Sequence, residues 1–145
     1  MPTRRDVHDS DLRRVLKQDG VRDSDRVDEF VNQVVTNVGE LQNKLGPSWA
    51  RRIIYNKRFG GVIISQLPGE GNRLHYHLDS DECWVILKGA FKIFIEGEGE
   101  RIVEKGDIVV VRQAQRHQIT CTGNVPGIRL AIAKPDVDHV YVVDE

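Results

Sequence analysis

Gly69-Glu70-Gly71-Asn72-Arg73-Leu74-His75-Tyr76-His77-Leu78-Asp79-Ser80-Asp81-Glu82 runs on through Cys83-Trp84-Val85-Ile86-Leu87-Lys88 to Gly89. His75 and His77 are two apart, so on a strand both rings point to the same face. Glu82 follows five residues after His77, across the polar turn Asp79-Ser80-Asp81. Two imidazoles and a carboxylate converging on one face suit a divalent first-row metal better than a packed core. Downstream, His117 heads the alternating segment His117-Gln118-Ile119-Thr120-Cys121, after the apolar run Ile108-Val109-Val110-Val111. The expectation is that His75, His77, Glu82 and His117 hold one metal inside a β-barrel. The competing view is a set of hydrogen-bonded barrel histidines.

The same residues resemble a known family. Gly69, five residues, His75-x-His77, four residues, Glu82, six residues and Gly89 look like the first cupin motif. Gly106, five residues, Arg112 and then Gln113-Ala114-Gln115-Arg116-His117 resemble the second. Here Arg112 stands where the family commonly has proline, Ala114 where it has glycine, and Cys121 where it has asparagine. The resemblance covers roughly residues 60 to 135. It implies an all-β double-stranded β-helix, the cupin jelly-roll barrel, with a 3-His/1-Glu centre for one divalent transition metal: iron, manganese, nickel or zinc. It also implies a homodimer. It leaves the chemistry open, since one fold hosts many functions.

A chain of 145 residues is long enough for one domain with a full core. Its 21 basic and 22 acidic residues nearly cancel, which gives no electrostatic case for nucleic acid or an anionic membrane. No apolar run approaches a bilayer span, and the charged N-terminus lacks a signal-peptide core. Cytoplasmic residence is the expectation. If Glu82 and His117 point into the barrel, alternation sends Cys83 out and Cys121 in, which argues against a disulfide.

Residues 1–48 read as a helical N-terminal extension that packs on the barrel or on a dimer partner, and residues 49–145 as the barrel. Asp9-Ser10-Asp11 can cap a short helix through Lys17, with Gly20 as its stop. A second helix is expected to open at Asp23-Ser24-Asp25 and to end at Gly46-Pro47. Its apolar stripe would be Val27, Phe30, Val31, Val34, Val35, Val38, Leu41 and Leu45, with Gly39 as an interruption. Beyond Arg51 the period changes to two. Ten strands are expected: 52–57, 61–67, 73–78, 82–87, 91–96, 101–103, 107–112, 117–121, 127–133 and 139–143.

Arg73 shares strand parity with His75 and His77 and is expected at the barrel mouth. An anionic substrate group or an internal acid would then meet its guanidinium. Gln66, Trp84 and Lys134 are further candidates for substrate binding. Trp84 also reads as core, and Gln66 as a solvated amide near a strand end. His8 and His139 read as surface or packing residues, and Arg58, Arg112, Arg116 and Arg129 as solvated or sheet-edge charges.

No phosphate loop, dinucleotide fingerprint or nucleophile elbow occurs. The resemblance implies a small-molecule substrate and a metal-dependent enzyme. Isomerase, epimerase or lyase chemistry on a sugar, sugar phosphate or organic acid is the first expectation. An iron-dependent dioxygenase is the alternative, as is a non-catalytic metal-dependent binding module. A polar pocket with Arg73 favours the first, and an apolar aromatic pocket the second.

Overall fold

A computed structural model describes residues 4–144. The chain order is β1 (Arg4–Asp9), α1 (Leu12–Gln18), α2 (Val38–Leu45), β2 (Trp49–Tyr55), β3 (Gly60–Gln66), β4 (His75–Tyr76) and β5 (Glu82–Lys88). It continues with β6 (Ala90–Ile95), β7 (Gly99–Glu104), β8 (Ile108–Val111), β9 (His117–Thr122), β10 (Gly127–Ala133) and β11 (His139–Asp144). Two antiparallel sheets result, in the order β1-β11-β4-β9-β6-β7 and β2-β3-β10-β5-β8.

Alternation along the strands makes the interior. Phe91, Ile93 and Ile95 of β6 point in while Lys92 is exposed, and Val109 and Val111 of β8 point in while Ile108 and Val110 point out. Together with Trp84, Ile86, Ile119 and Cys121 they form the main core between the sheets. Both cysteines are free; Cys121 is buried and Cys83 half-buried, as alternation requires.

The ten expected strands are present with shifted ends, and β4 is much shorter than expected. The extension differs more. Residues 4–9 form a strand, not a helix, antiparallel to β11 at the sheet edge. Arg4-Arg5-Asp6-Val7-His8-Asp9 carries no strand pattern, and its pairing is supplied by the β11 backbone. A highly charged outer strand is one way to keep a sheet edge from adding further strands.

α1 is capped by Asp11, whose side chain accepts from the backbone N–H groups of Arg13 and Arg14. Its Leu16 packs with Val21, Val27, Ala50 and Ile64, with Val62 and Ala131 alongside. Ile64, Val62 and Ala131 lie on the inner face of the five-stranded sheet, so α1 closes one end of the space between the sheets.

The long second helix is not formed. Only Val38–Leu45 is helical, capped by Asn37, whose side chain accepts from the Glu40 N–H. Asn32 stands at φ 59°, which no right-handed helix admits. Its side chain donates to the Tyr55 carbonyl and accepts from the Tyr55 N–H. The Ala50 and Arg52 N–H groups donate to the carbonyls of Asp23 and Val27, and the Asn32 N–H donates to the carbonyl of Ile53. Residues 23–32 thus satisfy the free edge of β2, a demand that outweighs the weak helical preference of a valine-rich segment. Arg51, 1% exposed, anchors this strap by ion pairs to Asp23 at 3.0 Å and Glu29 at 3.5 Å.

The apolar stripe is divided accordingly. Val27 is 1% exposed and Phe30 is half-buried against the outer face of β2 and β3, beside Leu41, Trp49 and Ile63. Val34 and Val35, expected inside, are 102% and 78% exposed. Val27→Asp is expected to destabilise by roughly 3 kcal/mol. Val35→Asp should change stability by less than about 0.5 kcal/mol. Denaturant titration of the two variants checks the division.

The turn before β9 is the place where the second motif departs from the family pattern. Ala114 adopts φ 62°, and its N–H donates to the His77 carbonyl at 2.7 Å. The left-handed conformation is kept without the glycine that normally takes it, at a cost of about 1–2 kcal/mol. Ala114→Gly is therefore expected to stabilise, by up to about 1 kcal/mol after the added chain entropy is subtracted. A rise in melting temperature reports it.

Candidate metal centre and its cavity

β4 lies between β11 and β9, with His75 opposite Tyr141 on one side and His117 on the other. His77 follows His75 on the same face, and His139 precedes Tyr141 by two. Glu82 opens β5 in the opposite sheet, beside Val111. Both sheets therefore contribute side chains to one cluster. The His75 and His117 rings are 4.3 Å apart, and His77 is 5.0 Å from each.

Each of the three rings has one nitrogen fixed by a main-chain carbonyl. Nδ1–H donates to Arg73 O from His75 (2.7 Å), to Asp138 O from His77 (2.9 Å) and to Gln115 O from His117 (2.8 Å). The Nε2 lone pairs are thereby turned to the cluster. His77 Nε2 lies 3.2 Å from Glu82 Oε2, and His117 Nε2 lies 3.9 Å from Glu82 Oε1. Neither Nε2 has a partner in hydrogen-bonding geometry. A lone pair facing a carboxylate is repulsive unless a proton or a cation stands between them.

The protonation tendencies agree. Burial pushes the Glu82 carboxyl up, but the close approach of His77 and the charges of the three imidazoles outweigh it and hold it well below the usual range. Burial works against a charged His77, yet Glu82 prevails and raises it. His75 and His117 are lowered, mainly by burial. These donors fit a divalent cation. The ligand atoms of His77, Glu82 and His117 lie within 4.8 Å of one another, as do those of His75, His77 and His139.

His139 thus belongs to the cluster and is not the surface or packing residue that the sequence suggested. Its ring stacks 5.0 Å from His75 and stands 4.7 Å from His77, and its Nδ1 is enclosed without a partner. Burial and the neighbouring imidazoles lower its pKa to about 4. Only the pairing of β11 with β4 brings it there, and no local spacing announces that pairing. His8 is exposed, but its ring contacts the Asp138 carboxylate at 2.5 Å, beside the carbonyl that fixes His77.

A cavity opens beside the cluster. His75, Glu82 and His139 line it on one side, and α1 closes it on the other. Its walls are largely apolar, with Leu16, Val62, Ile64, Trp84 and Ala131 among them.

Of the four expected substrate residues, Trp84 and Lys134 line this cavity. Trp84 is also core, 1% exposed, and its indole N–H donates to Glu82 Oε1 at 2.5 Å. Lys134 is exposed and pairs with Asp79. Gln66 is buried behind the wall, where its amide donates to Asp19 O at 3.2 Å and accepts from Arg129.

Arg73 does not face the cavity. It precedes the short β4, is exposed, stacks 4.0 Å over the Tyr141 ring and bonds Gln18. Parity failed because residue 73 is not part of the strand. The buried guanidinium of the cavity is that of Arg129, 2% exposed on the central strand β10 and not a solvated or sheet-edge charge. Its Nη1 donates to Gln66 Oε1 at 2.5 Å, and its Nε is buried without a partner. A lone arginine amid Ile128-Arg129-Leu130-Ala131-Ile132 was the available signal.

Asp19, the C-cap of α1, is the second charged group that the sequence did not mark. It is 6% exposed, lines the cavity, and its Oδ1 has no partner. Burial raises its pKa from 3.8 to about 7, although the positive charges of Arg129 and Arg73 oppose the shift. Between these values the folded chain holds a proton that the unfolded chain has released, so stability falls as pH rises through this window. Above it the ionised, buried form carries the full penalty, up to about 4 kcal/mol. Asp19→Asn is expected to raise the melting temperature at pH 8 and to leave it nearly unchanged at pH 4. Thermal melts at the two pH values check this.

Comparison with known proteins agrees with the fold and the motif. The Cupin domain family matches residues 62–133. Over 82 residues the chain is 33% identical to the tetracenomycin polyketide synthase protein TcmJ of Streptomyces glaucescens, covering 53% of this chain and 54% of that one. Over 82 residues it is 35% identical to the cupin-domain-containing oxidoreductase fogC of Aspergillus ruber, covering 55% and 39%. The chain thus spans about half or less of the length of these curated relatives. Among solved structures it resembles an uncharacterized conserved protein with a double-stranded β-helix domain from Klebsiella pneumoniae. The TM-score is 0.64 at 16% identity, over 79% of this chain and 94% of that one. With two antiparallel sheets, a histidine–glutamate cluster between them and this family match, the chain belongs to the cupin superfamily.

Proposed function

We propose that the protein is a metal-dependent enzyme that holds one divalent transition metal through His75, His77, Glu82 and His117. The reading rests above all on one observation: three imidazoles have Nδ1 committed to main-chain carbonyls, and the Nε2 atoms of two of them, His77 and His117, face a buried carboxylate. Such an arrangement is costly for a packed core and suited to a cation. A bound metal would supply Lewis-acid polarisation of a substrate oxygen, and iron would add redox capacity.

The apolar wall argues for a small, mostly apolar organic molecule carrying one polar end, in place of the sugar-like substrate expected from the sequence. Arg129 is the residue placed to meet a negative oxygen at that end. Trp84 and Lys134 would contact the body and the mouth side of the substrate. A relative named as a polyketide synthase protein agrees with a substrate of this type. Isomerase or lyase chemistry by proton transfer is the favoured reaction, because the buried Asp19 and Arg129 give the otherwise apolar cavity the charged groups that Arg73 does not supply. Oxidation is the second reading, supported by the relative named as an oxidoreductase. The expected homodimer stays part of the proposal, with the exposed Ile102, Ile108 and Val110 as an apolar face on offer.

Elemental analysis of purified protein, loaded in turn with iron, manganese, nickel or zinc, is expected to find one metal per chain. His77→Ala should lose stoichiometric binding while its circular dichroism stays β-rich. Undiminished metal in that variant would remove the assignment. Dioxygen uptake by the iron-loaded protein would move the reaction from the first reading to the second.

A further inference from the structure

Proton transfer on carbon requires a base that is not itself tied to the metal, and the four proposed ligands offer none. The cavity wall opposite it does. Asp19 is 94% buried by its 6% exposure, and it reaches the cavity from the end of α1. Its Oδ1 is enclosed without a hydrogen-bond partner, while its main-chain carbonyl is held by Gln66. A buried carboxyl with an unused oxygen is expensive, and the charge that offsets it in part is that of the buried Arg129 in the same wall. The same Gln66 accepts from Arg129, so one amide joins the Arg129 guanidinium to the main chain that carries Asp19.

Resting on the metal-dependent reading above, we propose that Asp19 is the catalytic base of the site, acting on a small, mostly apolar ketone. The Asp19 carboxylate removes a proton from the carbon next to the carbonyl. The C–H bond breaks, its electron pair becomes the C=C bond of an enolate, and the carbonyl pair moves onto oxygen, where Arg129 meets the charge. The proton then sits on Asp19, where it exchanges with solvent, and a proton returns from Asp19 to the same carbon, so no further reactant is consumed. Leu16, Ile64 and Trp84 supply the apolar surface for the body of the ketone.

The environment is suited to this role. A base works best when its pKa lies near the working pH, and burial brings Asp19 to about 7. The groups that bear on it are Arg129 of β10, Arg73 ahead of β4 and Glu82 of β5, and Asp19 acts in turn on Tyr141 of β11. The two arginines favour the carboxylate and Glu82 opposes it, with burial the larger influence.

The test follows deuterium exchange at the α-carbon of 1-tetralone, a bicyclic aryl ketone, by NMR in deuterated buffer. Metal-loaded full-length protein is used, with metal content and melting temperature measured on the same samples. Wild type is expected to accelerate exchange, with a rate that rises with pH up to about 7 and then levels, as Asp19 ionises. Asp19→Asn should lower the rate by about 10²-fold or more, with metal content unchanged and the rising limb lost. Asp19→Glu, which returns the acid on a longer stem, should recover part of the rate and serves also if Asp19→Asn does not fold. Equal rates in wild type and Asp19→Asn overturn the proposal, as does an Asp19→Glu rate no better than that of Asp19→Asn. Absence of exchange in metal-loaded wild type overturns it too. That result leaves the metal centre standing, whereas absence of bound metal removes the reading on which the proposal rests.

Discussion

The interaction on which the site depends is the approach of the Glu82 carboxylate to the Nε2 atoms of His77 and His117 across the gap between the two sheets. A buried carboxylate is tolerable only with compensating positive charge or donors. Part of that compensation is the indole N–H of Trp84; the remainder has to come from whatever stands between the acid and the imidazoles. The main-chain carbonyls that fix Nδ1 deny the rings an easy way of turning to relieve the contact. They belong to Arg73, Gln115 and Asp138, so loops on three sides are committed to holding a cluster that would otherwise push itself apart.

The barrel strands follow from the same economy of hydrogen bonding. Alternating apolar residues select the inner face, and each strand then needs neighbours for its backbone. At the outer edge of β2 no further strand is available, and residues 23–32 take its place. The buried Arg51 and its two acids tie this strap to the sheet, a pairing whose loss on one side would leave an uncompensated charge in the interior.

Legibility in the sequence tracked how local the controlling physics is. The period-two strands, the free cysteines and the cap of α1 are set by neighbours in sequence, and they were readable. The histidine pair and Glu82 were readable because they share one short stretch. His139, Arg129 and Asp19 were not, since each reaches the cavity only through a pairing or packing with a distant element. The valine stripe misled because helical spacing is necessary for a helix but does not outbid an unpaired strand edge. Arg73 misled by the same kind of shortfall: parity holds only inside a strand, and β4 is two residues long.

The pairing of β1 with β11 also bears on time. It brings together positions about 130 residues apart, as the contact of His8 with Asp138 shows. Closing so large a loop is entropically unfavourable and slows folding relative to local contacts. The ladder is therefore expected to form late, after the more local strand pairs. α1 follows β1 after only Ser10 and Asp11, yet what holds it is its packing on Val21, Val27, Ala50 and Ile64. Placed at the edge of its sheet, the outer ladder stands at the low-stability end of the native ensemble, while the histidine cluster lies in the interior.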